Sequence, residues 1–223
     1  MCGRFTLFSP GPALQAHFHL PEPPALRARY NIAPSQDIAV VRSLGQGERA
    51  LGMLRWGLIP GWAKDLRIGY RMINARAETV AEKPAFRNAF RQRRCLIPAD
   101  GFYEWQRRDG AKQPWYFHRR DEALFAFAGL WEHWDRAGEL VESCTIITTR
   151  ANRLMAPVHE RMPVILGPDD YLSWMETPAT EAGSLLPLLE PCADDWLTTY
   201  PVSSRVNSPG TDTLALIHPR EDV

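Results

Sequence analysis

Between residues 36 and 166 the chain repeatedly builds short runs of β-favouring residues and then breaks them with Gly, Pro or Asp. Such runs occupy 36–43, 50–57, 70–75, 94–98, 101–106, 114–118, 124–131, 140–148 and 162–166. Many short strands in close succession bury their apolar faces by curling or closing a sheet. Helical patterns fall at 10–19, at 83–92 with Phe86 and Phe90 spaced i,i+4, at 150–156 and at 168–176, with a short helix near 77–82. The Pro- and acid-rich stretch 176–196 reads as a surface excursion. The expected fold is α+β: one domain over 1–223, with a curved, barrel-like, mainly antiparallel sheet and peripheral helices.

At 223 residues, 45% hydrophobic and 23% charged, the chain has the composition and length for a real core. No stretch approaches the ~20 apolar residues of a membrane span, and the start MCGRFTLFSP lacks the apolar run of a secretory signal. A cytosolic, membrane-free protein is expected. Cysteines at 2, 95, 144 and 192 form no Cys-x-x-Cys pair, so neither a zinc module nor a disulfide framework is indicated and reduced thiols are expected. The formal net charge is zero, which argues against non-specific coating of nucleic acid. Its distribution is uneven: residues 62–94 carry nine basic against three acidic side chains, and residues 176–223 two against eight. A local phosphate-binding face is permitted, and separately solvated charge is the alternative.

Removal of Met1, normal before a residue as small as cysteine, would leave Cys2 with a free α-amine beside its thiol. Reference pKa values of about 7.7–8.0 and about 8.5 leave a reactive minority of each near neutrality. With an aldehyde the amine forms a Schiff base and the thiolate closes a five-membered thiazolidine. The alternative is an incidental small residue at a frayed end.

Glu104 lies in GFYEWQ, where two-residue alternation puts Phe102 and Glu104 on one face and Tyr103 and Trp105 on the other. A carboxylate walled by aromatics suits general acid/base work; an edge glutamate facing water is the plainer reading. In YRMINARAET the same alternation groups Met72, Asn74 and Arg76, so Asn74 can orient a reacting group and Arg76 can fork a phosphate. Against that stands an Asn capping the following turn, with Arg76 solvated. His159, after Pro157 and before an apolar strand, suits proton shuttling or is a structural loop histidine. Arg4 and Thr148 are weaker candidates for phosphate contact and hydrogen bonding. Trp62, after the Pro-Gly turn of WGLIPGWAKD, can stack on a base while Lys64 meets phosphate, or can lie as a lid over the core.

The ordered series MCGRF (1–5), YNIAPSQ (30–36), RWGLIPGWAK (55–64), INARAET (73–79), RRCLIPADGFYEW (93–105), FAGLWE (127–132) and TTRANRLMAPVHERMPVIL (148–166) resembles the SOS-response-associated peptidase (SRAP) family. VSSRVNSP at 202–209 extends the likeness faintly. The resemblance implies a curved β fold that senses abasic sites in single-stranded DNA and at single-strand to double-strand junctions. It implies that Cys2 matches the crosslinking cysteine, that Asn74, Glu104 and His159 match the other active-site residues, and that Arg4, Arg76 and Thr148 match DNA-contacting positions. It further implies autocatalytic removal of Met1 and a possible abasic-site lyase activity. No metal or organic cofactor is implied, and a monomer is expected.

Two other functions fit parts of the sequence. An N-terminal-nucleophile cysteine hydrolase such as a glutamine amidotransferase also begins Met-Cys-Gly, but its glutamine-binding motifs are absent here. A non-catalytic modified-base reader would use the aromatics and arginines without a free Cys2.

Overall fold

Hairpins between consecutive strands and pairings between strands far apart in sequence together fix the architecture. A computed structural model describes residues 2–108, 110–136 and 138–220. In chain order the elements are β1 (Phe5–Leu7), α1 (Gly11–Phe18), β2 (Arg29–Ile32), β3 (Asp37–Gly45), β4 (Glu48–Trp56), β5 (Asn74–Arg76), α2 (Arg87–Gln92) and β6 (Arg94–Ala99). They continue with β7 (Gly101–Arg108), β8 (Ala111–Arg119), β9 (Phe125–Arg136), β10 (Glu139–Arg150), β11 (Arg161–Pro163), β12 (Ile165–Leu166), α3 (Tyr171–Glu176) and β13 (Leu197–Pro201).

Strands β10, β4, β3, β6 and β9 pair in that order, and β9 pairs again with β10, so five strands close a barrel. Closure removes the open edges that so many short strands would otherwise expose. Only β10 and β4 run parallel within that ring (Ser143↔Arg55, Cys144↔Trp56). Gly129 on β9 has a packing reason to be glycine: a Cβ there would meet Cys95 Sγ and Ile97 Cδ1 at 2.9 Å. Outside the ring, β5 and β11 add to β10 and β12 adds to β9.

A second sheet, in the order β13-β8-β7-β1-β2, is antiparallel throughout and packs against the barrel through Phe5, which meets Trp56 edge-on at 5.3 Å and Phe127 at 5.7 Å. Strand β7 is covered on both faces. Phe102 enters the main core, while Tyr103 joins Tyr116, Val202, Val206 and Leu216 in a smaller core beneath the C-terminal segment.

The α+β, barrel-centred expectation therefore holds, with local corrections. The run 70–75 is not a strand: residues 66–71 form a 3-10 helix, and the strand beyond is only the three-residue β5. The helix expected over 150–156 is a series of turns, and the one near 77–82 is a 3-10 turn over Ala77–Thr79. Residues 176–196 are not a mere surface excursion, because the 3-10 segment Ala179–Leu189 buries Ala182, Leu185 and Leu189 and packs on α2. Strands β1, β2 and β13 were not expected. Among the described residues no helix is long and apolar enough to cross a membrane.

Candidate active site

Cys2 owes its position to the strand that follows it. Phe5 pairs with Phe102, and one step back the Tyr103 N–H donates to the Arg4 carbonyl at 3.0 Å, so the chain leading to residue 2 runs back along β7 towards Glu104. Gly101 leaves room for the Tyr116 side chain, whose hydroxyl lies 2.9 Å from the Thr6 hydroxyl on β1; a Cβ at residue 101 would lie 2.3 Å from the Tyr116 hydroxyl and 2.7 Å from the Phe117 carbonyl. Both side chains are enclosed, Cys2 at 0% exposure and Glu104 at 2%.

Enclosure decides the ionisation of the thiol. Burial pushes the Cys2 thiol far above the usual range, and the negative charge of Glu104 pushes it further. A reactive thiolate minority near neutrality, expected from the sequence, is therefore corrected: in this environment the thiol is protonated. Thiolate chemistry here needs a group that takes the proton during reaction, and a carboxylate already within electrostatic reach can be that group.

Glu104 and His159 line one pocket of about 430 Å³ together with Trp105, Arg107, Lys112 and Asn207. The His159 Nδ1 accepts the Arg161 backbone N–H at 2.9 Å, which assigns the proton of the neutral ring to Nε2. Arg161 is in turn fixed, donating to the Glu78 carboxylate and, at 2.6 Å, to the Thr148 carbonyl. The sequence reading passed over Arg161; its position two residues after His159, at the start of a strand, was the only signal.

Asn74 opens β5 and pairs with Ile146 on β10, two positions before Thr148. Its amide nitrogen donates at 3.5 Å to the Ile146 carbonyl, while its buried Oδ1 has no hydrogen-bond partner among the described residues. An enclosed acceptor without a donor is costly, and is the kind of atom that a bound group satisfies. Arg76, at the other end of β5, is exposed, and Ala75 between them is buried, as the alternation required.

The fold places the three remaining candidates as follows. Arg4 is half-buried and committed: it donates to Asn31 Oδ1 at 2.9 Å, to the Val206 carbonyl at 2.6 Å and to the Asn207 carbonyl at 3.4 Å. Thr148 is fully buried, its hydroxyl 3.4 Å from the Ala75 carbonyl, so it supports Arg161 from inside and presents no surface to a strand. Trp62 is 56% exposed and is no core lid; with Lys64, Arg67 and Arg71 it lines a different pocket of about 620 Å³. The basic stretch 62–94 is also less available than its charge indicates. Arg67 pairs with Asp65, Arg93 with Glu132, and buried Arg94 donates to the carbonyls of Phe90, Arg91, Trp174 and Thr177.

A sequence profile described as SOS response associated peptidase (SRAP) matches residues 1–209. The chain belongs to the SRAP family. Among its SRAP relatives, the abasic site processing protein YoqW of Bacillus subtilis (strain 168) is 48% identical, over 97% of this chain and 99% of its own. The abasic site processing protein HMCES of Xenopus tropicalis is 32% identical over 82% of this chain and 64% of its own. The SRAP fold described above recurs in a crystal structure of a Bacteroides thetaiotaomicron protein, with a TM-score of 0.86 at 24% identity over 98% of this chain and all of that one. A Bordetella bronchiseptica protein matches with a TM-score of 0.76 at 30% identity over 91% of this chain.

Proposed function

We propose that this SRAP protein processes abasic sites in single-stranded DNA, including those at single-strand to double-strand junctions, by covalent capture through Cys2. The observation that carries the reading is the enclosed Cys2 thiol under the charge of the Glu104 carboxylate. The names of relatives such as YoqW, which this chain matches along almost its whole length, support abasic sites as the substrate.

The chemistry begins with exposure of the amine. The Cys2 thiol attacks the Met1 carbonyl, the peptide C–N bond breaks to leave a thioester, and one water hydrolyses it, releasing methionine and a free α-amine. That amine adds to the C1 aldehyde of the ring-opened abasic sugar, and the carbinolamine loses water to give an iminium ion. Cys2 sulfur then adds to the same carbon as its proton passes to Glu104, closing the thiazolidine with a net release of one water per crosslink. Glu104 serves as the acid and base of these steps. The Nε2–H of His159 assists the ring-opened form of the sugar, and the amide of Asn74 orients the reacting group. Arg76, exposed at the end of β5, meets a backbone phosphate, and Trp62 meets a base. A lyase step would proceed from the same iminium ion.

An N-terminal extension that cannot be removed converts the α-amine to an amide. It should block formation of a denaturation-resistant adduct with an abasic strand, whereas a C-terminal extension of the same length should not. Equal crosslinking by both forms would rule out the amine.

A further inference from the structure

We propose that Arg107, Lys112 and the side-chain amide of Asn207 form a subsite for one backbone phosphate of the bound strand, adjoining the reacting sugar. The inference rests on reading the Glu104–His159 pocket as the place where an abasic strand reacts, and it specifies which wall the strand crosses.

The register of the β7–β8 hairpin supplies the first argument. Arg107 stands directly opposite Lys112, with Trp105 opposite Pro114 two steps back on the same face. Side chains so opposed have Cβ atoms about 4.5–5.5 Å apart, and like charges at that spacing repel. Both side chains are exposed, and among the described residues neither makes an ion pair or a side-chain hydrogen bond. An anion seated between them turns that repulsion into a two-cation clamp.

Asn207 supplies the second. The Trp105 indole N–H, which can only donate, reaches Asn207 Oδ1 at 2.7 Å. That bond fixes which end of the amide is oxygen and leaves the NH2 group as a donor with no acceptor among the described residues. Two cations and an amide donor form the set that recognises a phosphate diester.

The third argument is polarity within one pocket. Glu104 lies in the same lining as Arg107 and Lys112. A phosphate is repelled from the carboxylate and drawn to the hairpin, so the sugar is left at Glu104 and His159. The charge pattern orients the strand before any covalent step.

The test uses the full chain and a short single strand whose central residue is a tetrahydrofuran analogue. The analogue has no aldehyde, so binding is read without crosslinking. In fluorescence anisotropy, R107A/K112A should lower affinity about ten-fold at low salt. It should also reduce the slope of log K against log salt by about 0.7, the value for one phosphate on a single strand. N207A should weaken binding a few-fold with the slope unchanged, and R107K/K112R should restore both affinity and slope. With strands cut to end at the analogue on one side or the other, the R107A/K112A deficit should vanish for one cut strand and persist for the other. Unchanged affinity and slope, or an equal deficit on both cut strands, would overturn the subsite. Normal binding defects in a protein that forms no adduct with a true abasic strand would leave the subsite standing and remove the capture chemistry.

Discussion

Arg4 donates a 2.6 Å hydrogen bond to the carbonyl of Val206, tying the segment between Cys2 and β1 to the segment that covers the outer face of β7. Asn31 reinforces the tie, accepting from Arg4 and donating to the carbonyls of Ser208 and Thr211 at 2.9 and 2.7 Å. A residue two positions from Cys2 therefore acts first on the geometry of the site.

The first prediction concerns that tie. Arg4→Ala should destabilise the protein by about 1–3 kcal/mol, because it leaves the buried Asn31 Oδ1 without its donor and takes from the Val206 carbonyl the shorter of its two hydrogen bonds. Urea unfolding reads the loss. An unchanged midpoint, with strand binding alone impaired, would make Arg4 a phosphate contact and not a structural one.

The second prediction follows from the buried thiols. Burial raises Cys2, Cys95 and Cys144 far above their ordinary range and pushes Cys192 up to about 12. The unfolded chain begins to lose these protons near pH ~8.5 while the folded chain keeps them. Their contribution to stability is thus whole below that pH and falls as pH rises, by about 1.4 kcal/mol per pH unit for each thiol. Urea midpoints between pH 8 and 10 should decline, and Cys95→Ala should flatten the decline by about one thiol's share. A level profile over that range would contradict the burial of the thiols.

The third prediction separates two effects of one carboxylate. Glu104→Gln keeps the shape of the side chain and removes its charge, so the Cys2 thiol should ionise at a lower pH, read from the pH dependence of its alkylation. Crosslinking to an abasic strand should nevertheless slow by ~10²–10⁴, as general acid/base help is lost. His159→Ala should be the milder lesion for crosslinking. If Glu104→Gln crosslinks at the parent rate, Glu104 moves no proton in the reaction and is a structural carboxylate.

Much of this arrangement was legible in the sequence where a local pattern carries the information. The alternation in GFYEWQ correctly sent Phe102 and Tyr103 to opposite cores, and the alternation in NAR correctly set Asn74 and Arg76 against buried Ala75. Strands β1 and β2 left no comparable trace, since three or four residues become a strand only when Phe5 finds Phe102 and Ile32. In the 150–156 segment the Ala156 N–H does bond the Asn152 carbonyl at 2.9 Å, so the helical spacing was real, but Pro157 follows and no helix continues. Residue type pointed to Arg4 and Thr148 as surface contacts because burial is a property of the folded chain. The facing of Arg107 and Lys112 across the hairpin and the Trp105–Asn207 bond lay out of sight for the same reason: each depends on register or on contacts across about a hundred residues.

The central claim is tested most directly by intact-mass spectrometry of the untagged protein after incubation with a single strand bearing one abasic aldehyde. The predicted product has the mass of the chain lacking Met1, plus the strand, minus one water, and it survives denaturation. Cys2→Ala should give no such species, and neither should the same strand with an intact base. An adduct of equal yield on Cys2→Ala, or one in which the chain retains Met1, would contradict capture by the Cys2 amine and thiol.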